Sequence, residues 1–212
     1  AETICTACAA ATHAIGHAAR LIAWGRCDAV VTGGAESAGT ITAIAGFANM
    51  TALSTTGVSM PFDAARDGFV FGEGGAVFVV ESLAHARARG ASIYAELLGA
   101  GATADAFHIS APEPTGRGAA ASMTKAIKDG GATPGDVTYI VAHGTSTPLN
   151  DLTETKAIKR ALGDHAHKIP ISSPKSMVGP LLGGAGAVAG LAAIKAIESG
   201  TVPPTINYET PD

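Results

Sequence analysis

The sequence predicts an α/β fold, and three observations carry that expectation. Short apolar runs alternate with helix-period segments along the chain, several of them close on glycine, and Ala and Gly supply about a third of the 212 residues. In order, Ile15, Ala18, Ala19 and Ile22 recur at helical spacing with Gly25 at the stop, predicting a helix from about Ala9 to Trp24. Ala29-Val30-Val31-Thr32, closed by Gly33-Gly34, reads as a strand buried on both faces. Ala76 to Val80 repeats that pattern. Leu83 to Arg89 reads as a short helix ended by Gly90, and Ile93 to Leu98 as another strand. The alternation continues with a helix over about Gly118 to Asp129, a strand Val137 to Ala142 and a helix Asp151 to Leu162. A strand Ile169 to Ser172 and a helix from about Ala185 to Glu198 complete it. Strands interleaved with helices imply crossover units and a mainly parallel sheet covered on both faces. The join between two parts is expected near Gly90-Ala91.

Composition excludes several classes. With 47% hydrophobic residues, 15% charged and a mean hydropathy of +0.28, the chain is too apolar to be disordered. A net charge of −4, with no Lys or Arg run beyond an isolated pair, gives no electrostatic footprint for nucleic acid. Cys5, Cys8 and Cys27 make an odd number, which predicts reduced thiols in a cytoplasm-like compartment. The chain opens at Ala1 without a basic, targeting-type start and is expected to be a piece of a longer protein. Ser176 to Ile194 is uncharged and about as long as a bilayer-crossing helix. Its five glycines and Pro180, bracketed by Lys175 and Lys195, predict a packed loop and helix instead, and no membrane association.

Three segments carry residues suited to chemistry. Cys8 sits among small residues at the predicted start of a helix, where backbone N–H groups and the helix dipole stabilise a thiolate. A buried structural cysteine fits the same residues, and the local sequence leaves both readings open. His143 follows directly on the Val137 to Ala142 strand, at the carboxyl edge where α/β sheets bind ligands. There an imidazole can donate a hydrogen bond or shuttle a proton, and the hydroxyls of Thr145 and Thr147 can hold an amide-bearing chain. A structural histidine among turn-forming threonines is equally consistent. Lys175 lies in a polar loop after a strand, and Asp151 and Glu154, one helical turn apart, can form a charged cluster with it or be plain surface charge. Gly184-Ala185-Gly186 lacks the placement after a strand, and the acidic residue about twenty positions on, that a dinucleotide cradle needs. Gly186 and Gly190 read as close helix packing.

Taken in order, five motifs resemble the elongating β-ketoacyl-acyl-carrier-protein synthases. They are Thr6-Ala7-Cys8; Pro61-Phe62-Asp63 with Arg66-Asp67-Gly68-Phe69-Val70 and Gly72-Glu73-Gly74; His143-Gly144-Thr145-Ser146-Thr147-Pro148; Lys175-Ser176-Met177; and Val202-Pro203-Pro204-Thr205-Ile206-Asn207. The resemblance runs from end to end of the chain. It implies a thiolase-like αβαβα layered sandwich, incomplete here: residues 1–90 as the later part of the first half, 91–212 as most of the second, stopping before a final glycine-rich loop. It implies a homodimer and acyl carrier protein as partner, with neither cofactor nor metal. The implied chemistry is ping-pong condensation of an acyl thioester with malonyl carrier protein, with loss of CO₂, in fatty-acid or polyketide synthesis. By resemblance Cys8 is the acylated nucleophile and His143 holds the malonyl thioester oxygen. Lys175 holds a polar network with Asp151 and Glu154, and Thr145 and Thr147 contact pantetheine. His13 falls where relatives often carry a noncatalytic histidine.

Two positions depart from the family. The second catalytic histidine is replaced by Pro180, after Gly179, and a glutamate nine positions further on is Ala189. Proline brings neither an imidazole nor a backbone N–H. By analogy with loss of one oxyanion donor, about 3 kcal/mol of transition-state stabilisation is lost, on the order of 10²–10³ in rate. The alternative reading is a condensation-impaired subunit that binds carrier protein or a paralogous partner. Retention of Cys8 counts against it.

Overall fold

The computed structural model describes residues Ala1–Asp212. Its elements in chain order are α1 (Ala10–Ala23), β1 (Ala29–Glu36), α2 (Ile41–Asn49), β2 (Gly74–Glu81), α3 (Leu83–Ala88) and α4 (Arg117–Asp129). They continue with β3 (Ile140–Val141), α5 (Pro148–Leu162), β4 (Ile171–Ser172), α6 (Lys175–Val178) and α7 (Ala185–Ser199). Two compact units form, each assembled from separated stretches: Ala1–Ser37, Gly72–Leu97 and Leu181–Thr201 make the first, and Ala38–Phe71, Leu98–Pro180 and Val202–Asp212 the second.

In the first unit β1 and β2 pair antiparallel along their full length, from Ala29 opposite Glu81 to Glu36 opposite Gly74. This corrects the expectation of a mainly parallel sheet. The chain leaves β1 at Glu36 and starts β2 opposite that same residue, so it returns antiparallel without having to cross to the far end. The expected burial on both faces is also corrected. α1 and α7 pack on the pair, and side chains alternate between half-buried Val30, Phe78 and Val80 and exposed Val31, Val77 and Val79. One covered face produces that alternation, and a strand covered twice does not.

Small residues set the spacing. A Cβ on Gly34 would lie 2.6 Å from both the Ala11 Cβ and the Gly183 carbonyl oxygen, so α1 and the 3₁₀ turn Leu182–Gly184 rest directly on the strand backbone. A Cβ on Gly186 would lie 2.6 Å from the Thr12 amide nitrogen, locking α7 to α1. The Leu182–Ser199 stretch is long and apolar enough, by length and composition, to cross a membrane. Within the unit its glycines are contact points, and Gly190 meets the Phe78 ring and Ile15.

In the second unit β3 and β4 pair parallel, Ile140 with Ile171 and Val141 with Ser172. Ile158, Leu162 and Ala166 form the buried centre, flanked by Met123, Ile127, Val137 and Ile169. Both strands are shorter than the apolar runs that predict them. α5 starts three residues early because Thr147 caps it, accepting the Asn150 N–H at 3.3 Å, with Pro148 in the first turn. α2 is an addition to the predicted elements; Thr40 caps it through the Ala43 N–H. The rings of Phe47, Phe69 and Phe71 meet edge to face with centroids 4.9 to 5.3 Å apart.

The expected strand Ile93 to Leu98 is overturned: apart from Glu96 the segment is largely apolar, but it joins neither hydrogen-bonded ladder. Branched side chains and alternation prepare a segment for pairing, but a strand exists only where a neighbour answers its N–H and C=O groups.

Candidate active site

Cys8 lies in a single 3₁₀ turn, Ala7–Ala9, that runs directly into α1. It is half-buried, whereas Cys5 and Cys27 are exposed, and none of the three forms a disulfide. Ala7, immediately before it, is held at φ 50°, a left-handed conformation that a side chain resists. No acidic side chain occupies the first turn of α1, so the positive end of the helix dipole meets no competing carboxylate of that turn. The arrangement favours a thiolate on a short, bent lead-in to a helix. These elements all belong to the first unit.

The second unit contains His143, Thr145, Thr147, Asp151, Glu154 and Lys175, and also Pro180. His143 follows β3, where the Ala142 N–H still reaches the Ser172 carbonyl at 2.8 Å. The backbone then turns under two carboxylates of α5. Glu154 accepts the N–H groups of His143 and Gly144 at 2.6 and 2.7 Å. Asp151 accepts the Thr145 N–H at 3.0 Å through one oxygen and the Phe62 N–H at 2.9 Å through the other. The Thr145 and Thr147 hydroxyls pair at 2.9 Å. Lys175, at the start of α6, is 4% exposed.

The electrostatics follow from burial. Burial, then the Lys175 charge, bring the His143 imidazole from 6.5 down to about 3, so it is neutral at physiological pH. Burial pushes Glu154 up, opposed by the Gly144 and His143 N–H groups and by Lys175. Burial also raises Asp151, opposed by Asn150, Phe62, Arg66 and Thr145. The two acids therefore act chiefly as acceptors for loop amides. Asp151 faces the Arg66 guanidinium at 3.7 Å, while Lys175 acts on Glu154 and His143. Pro180 is buried after Gly179, and Ala189 lies on α7.

Two contributors carry no individual role in the sequence reading. Arg66, with its side chain 7% exposed, donates to the Asp63, Thr147 and Pro148 carbonyls and ion-pairs with Asp212 at 2.7 Å. Ser146 is fully buried at φ 67°; its Oγ accepts the Met60 N–H at 2.9 Å and its carbonyl the Gly68 N–H at 3.0 Å. Arg66 has a signal, an arginine flanked by Asp63 and Asp67 in a chain poor in charge. Ser146 has none, because its backbone angle is set by partners far along the chain.

Comparison with known proteins identifies the family. Residues 1–86 match the model of the beta-ketoacyl synthase N-terminal domain, and residues 94–209 that of the C-terminal domain. The 3-oxoacyl-[acyl-carrier-protein] synthase 2 of Synechocystis sp. is 53% identical over 98% of this chain and 51% of its own length. That of Coxiella burnetii is 49% identical over 99% of this chain and 52% of its own. The chain thus spans about half the length of the curated relatives it matches. Among solved structures, a chain of a type II PKS ketosynthase in complex with its acyl-carrier protein superposes with a TM-score of 0.96. It is 41% identical, covering 100% of this chain and 53% of that one. The ishigamide ketosynthase/chain length factor gives 0.93 at 41% identity, covering 100% and 51%. The fold is accordingly the thiolase-like α/β fold of the ketosynthases, and with both domain models matched in order along its length, this chain belongs to the β-ketoacyl synthase family.

Proposed function

We propose that the full-length protein is a 3-oxoacyl-[acyl-carrier-protein] synthase that condenses an acyl thioester with malonyl carrier protein. Residues 1–90 then contribute the nucleophile and 91–212 the groups that activate malonate. The Cys8 thiolate attacks the acyl thioester carbonyl, and the carrier thiol leaves. The malonyl thioester loses CO₂, and the electron pair left on its α-carbon attacks the acyl-cysteine carbonyl. A carbon–carbon bond forms and the Cys8 thiolate is released. The observation that carries this reading is the buried Glu154 carboxylate closing the turn of His143 through the His143 and Gly144 N–H groups, with burial favouring the neutral imidazole. A neutral imidazole offers one ring N–H to the enolate oxygen without first forming an ion pair with the malonyl carboxylate. Thr145 and Thr147 supply hydroxyls for the pantetheine amides, and Lys175 sets the potential at His143.

Acyl carrier protein as partner is supported by the solved complex of a related ketosynthase with its own carrier protein. A homodimer follows the family resemblance, and a cytoplasmic location is consistent with three cysteines outside disulfides. The contacts of Gly186 and Gly190 support reading α7 as a core helix, with no membrane association. With Pro180 in place of an imidazole, condensation is slowed rather than lost.

Mass spectrometry of the full-length protein incubated with acyl carrier protein thioesters tests the reading. An acyl adduct on the Cys8 peptide is expected, discharged on addition of malonyl carrier protein; no adduct on Cys8 overturns the proposal. Pro180→His is expected to speed the second step by on the order of 10²-fold.

A further inference from the structure

We propose that His13 is a positioning residue for the nucleophile turn and acts through Thr6; this rests on the reading of Cys8 as the acylated residue. Thr6 stands at the N-cap of the Ala7–Ala9 turn, a position where threonine ordinarily turns its hydroxyl onto a backbone N–H of that turn. Here the hydroxyl makes no capping bond. It lies 2.7 Å from His13 Nδ1 instead, seven residues on. The backbone keeps its own share of the turn, with the Ala9 N–H donating to the Thr6 carbonyl at 3.1 Å.

The anchor at the other end is rigid. His13 follows Ala11, against which Gly34 of β1 presses, and Thr12, against which Gly186 of α7 presses. This first stretch of α1 has no room to slide or rotate. His13 therefore ties Thr6 to a fixed helix, and the two residues between Thr6 and Ala9, the strained Ala7 and Cys8, are carried in a loop with both ends defined. The tether does two things. It holds Ala7 at its positive φ, which aims the Cys8 side chain, and it keeps the hydroxyl from folding onto the amides at the start of α1, whose dipole stabilises the thiolate. His13 need not touch substrate for this.

The test uses the full-length protein, with iodoacetamide alkylation followed on the Cys8 peptide by mass spectrometry, so that the rate reads Cys8 separately from every other thiol. Thr6→Val and His13→Ala are each expected to slow alkylation and transacylation about fivefold, the size of one hydrogen bond. The double variant should be no slower than either single one, since both remove the same tether. Thr6→Ser and His13→Asn, which restore a partner at the same reach, should recover most of the rate. Thr6→Val, an exposed and nearly isosteric change, should leave the melting temperature unmoved. Additive losses, no rescue, or an unchanged rate in Thr6→Val overturns the inference. Failure of the unchanged protein to accept any acyl group would instead overturn the nucleophile reading, while the alkylation series still decides the tether.

Discussion

Glu154 holds His143 through the backbone: its Oε1 accepts the His143 N–H at 2.6 Å while Oε2 accepts the Gly144 N–H at 2.7 Å. One buried carboxylate thus closes the turn that carries the imidazole, and the ring itself is left for other work.

Replacing that carboxylate by its amide tests the clamp. Glu154→Gln turns one acceptor into an NH₂ group facing a backbone N–H. Stability is expected to fall by about 1–3 kcal/mol, the range for leaving a buried donor unsatisfied. Urea unfolding measures the loss, and malonyl decarboxylation should fall with it. Unchanged values for both would remove Glu154 from the site.

His143 should stay neutral across the working range. Its pKa in the folded state is depressed from 6.5 to about 3, by burial first and by Lys175 second. Between those values the unfolded chain binds the proton and the folded one does not, so this group makes stability fall as pH drops from 6.5 toward 3. Nitrogen NMR of the labelled ring should show no titration near 6.5, and Lys175→Met should move the midpoint upward. A wild-type midpoint near 6.5 would contradict the assignment.

Asp67 gives acid sensitivity through a different cause. Hydrogen bonds from Ser54 first, then from Thr55 and Thr56, hold it at about 2 against its ordinary 3.8. Its stabilising contribution is present above pH 3.8 and is lost as pH falls through about 2. In urea unfolding, the gap between wild type and Asp67→Asn should be full at about pH 6 and narrow steadily toward about pH 2. A gap independent of pH would show that the threonine loop is held by something else.

Close packing of α7 on α1 is the fourth expectation. A methyl on Gly186 would sit 2.2 Å from the Thr12 hydroxyl and 2.6 Å from its amide nitrogen. Gly186→Ala should cost about 1–3 kcal/mol, the usual range for overpacking. Thermal unfolding of the full-length protein checks it. An unaltered midpoint would mean that α7 sits further from α1 than the backbone places it.

Much of the helical framework is legible because period and punctuation agree at those places. α1, α3, α4 and α7 have ends within a residue or so of the expected ones, where Gly25, Gly90, Gly130 and Gly200 interrupt the pattern. Strands are legible as apolar runs, but their pairing is not. Runs of small and branched residues such as Ala29 to Thr32 look alike whether the neighbour lies parallel, antiparallel or nowhere, and Ile93 to Leu98 is the case with no ladder. The site divides the same way: Cys8, His143, Lys175, Asp151 and Glu154 stand out by type and spacing, while Arg66 and Ser146 draw their importance from partners some eighty residues away.

What the sequence determined by itself was the family, the positions of its helices and the chemical kinds of residue offered to a substrate. The family resemblance is carried by five motifs in their order along the chain, and the helix positions by periodicity and capping. The tertiary structure decided which acceptor each amide found, that Asp151 faces Arg66, that the Thr6 hydroxyl turns to His13, and how far burial shifts His143. Those outcomes depend on distances across the fold and on the removal of water from charged groups, and neither is written in the order of residues along the chain.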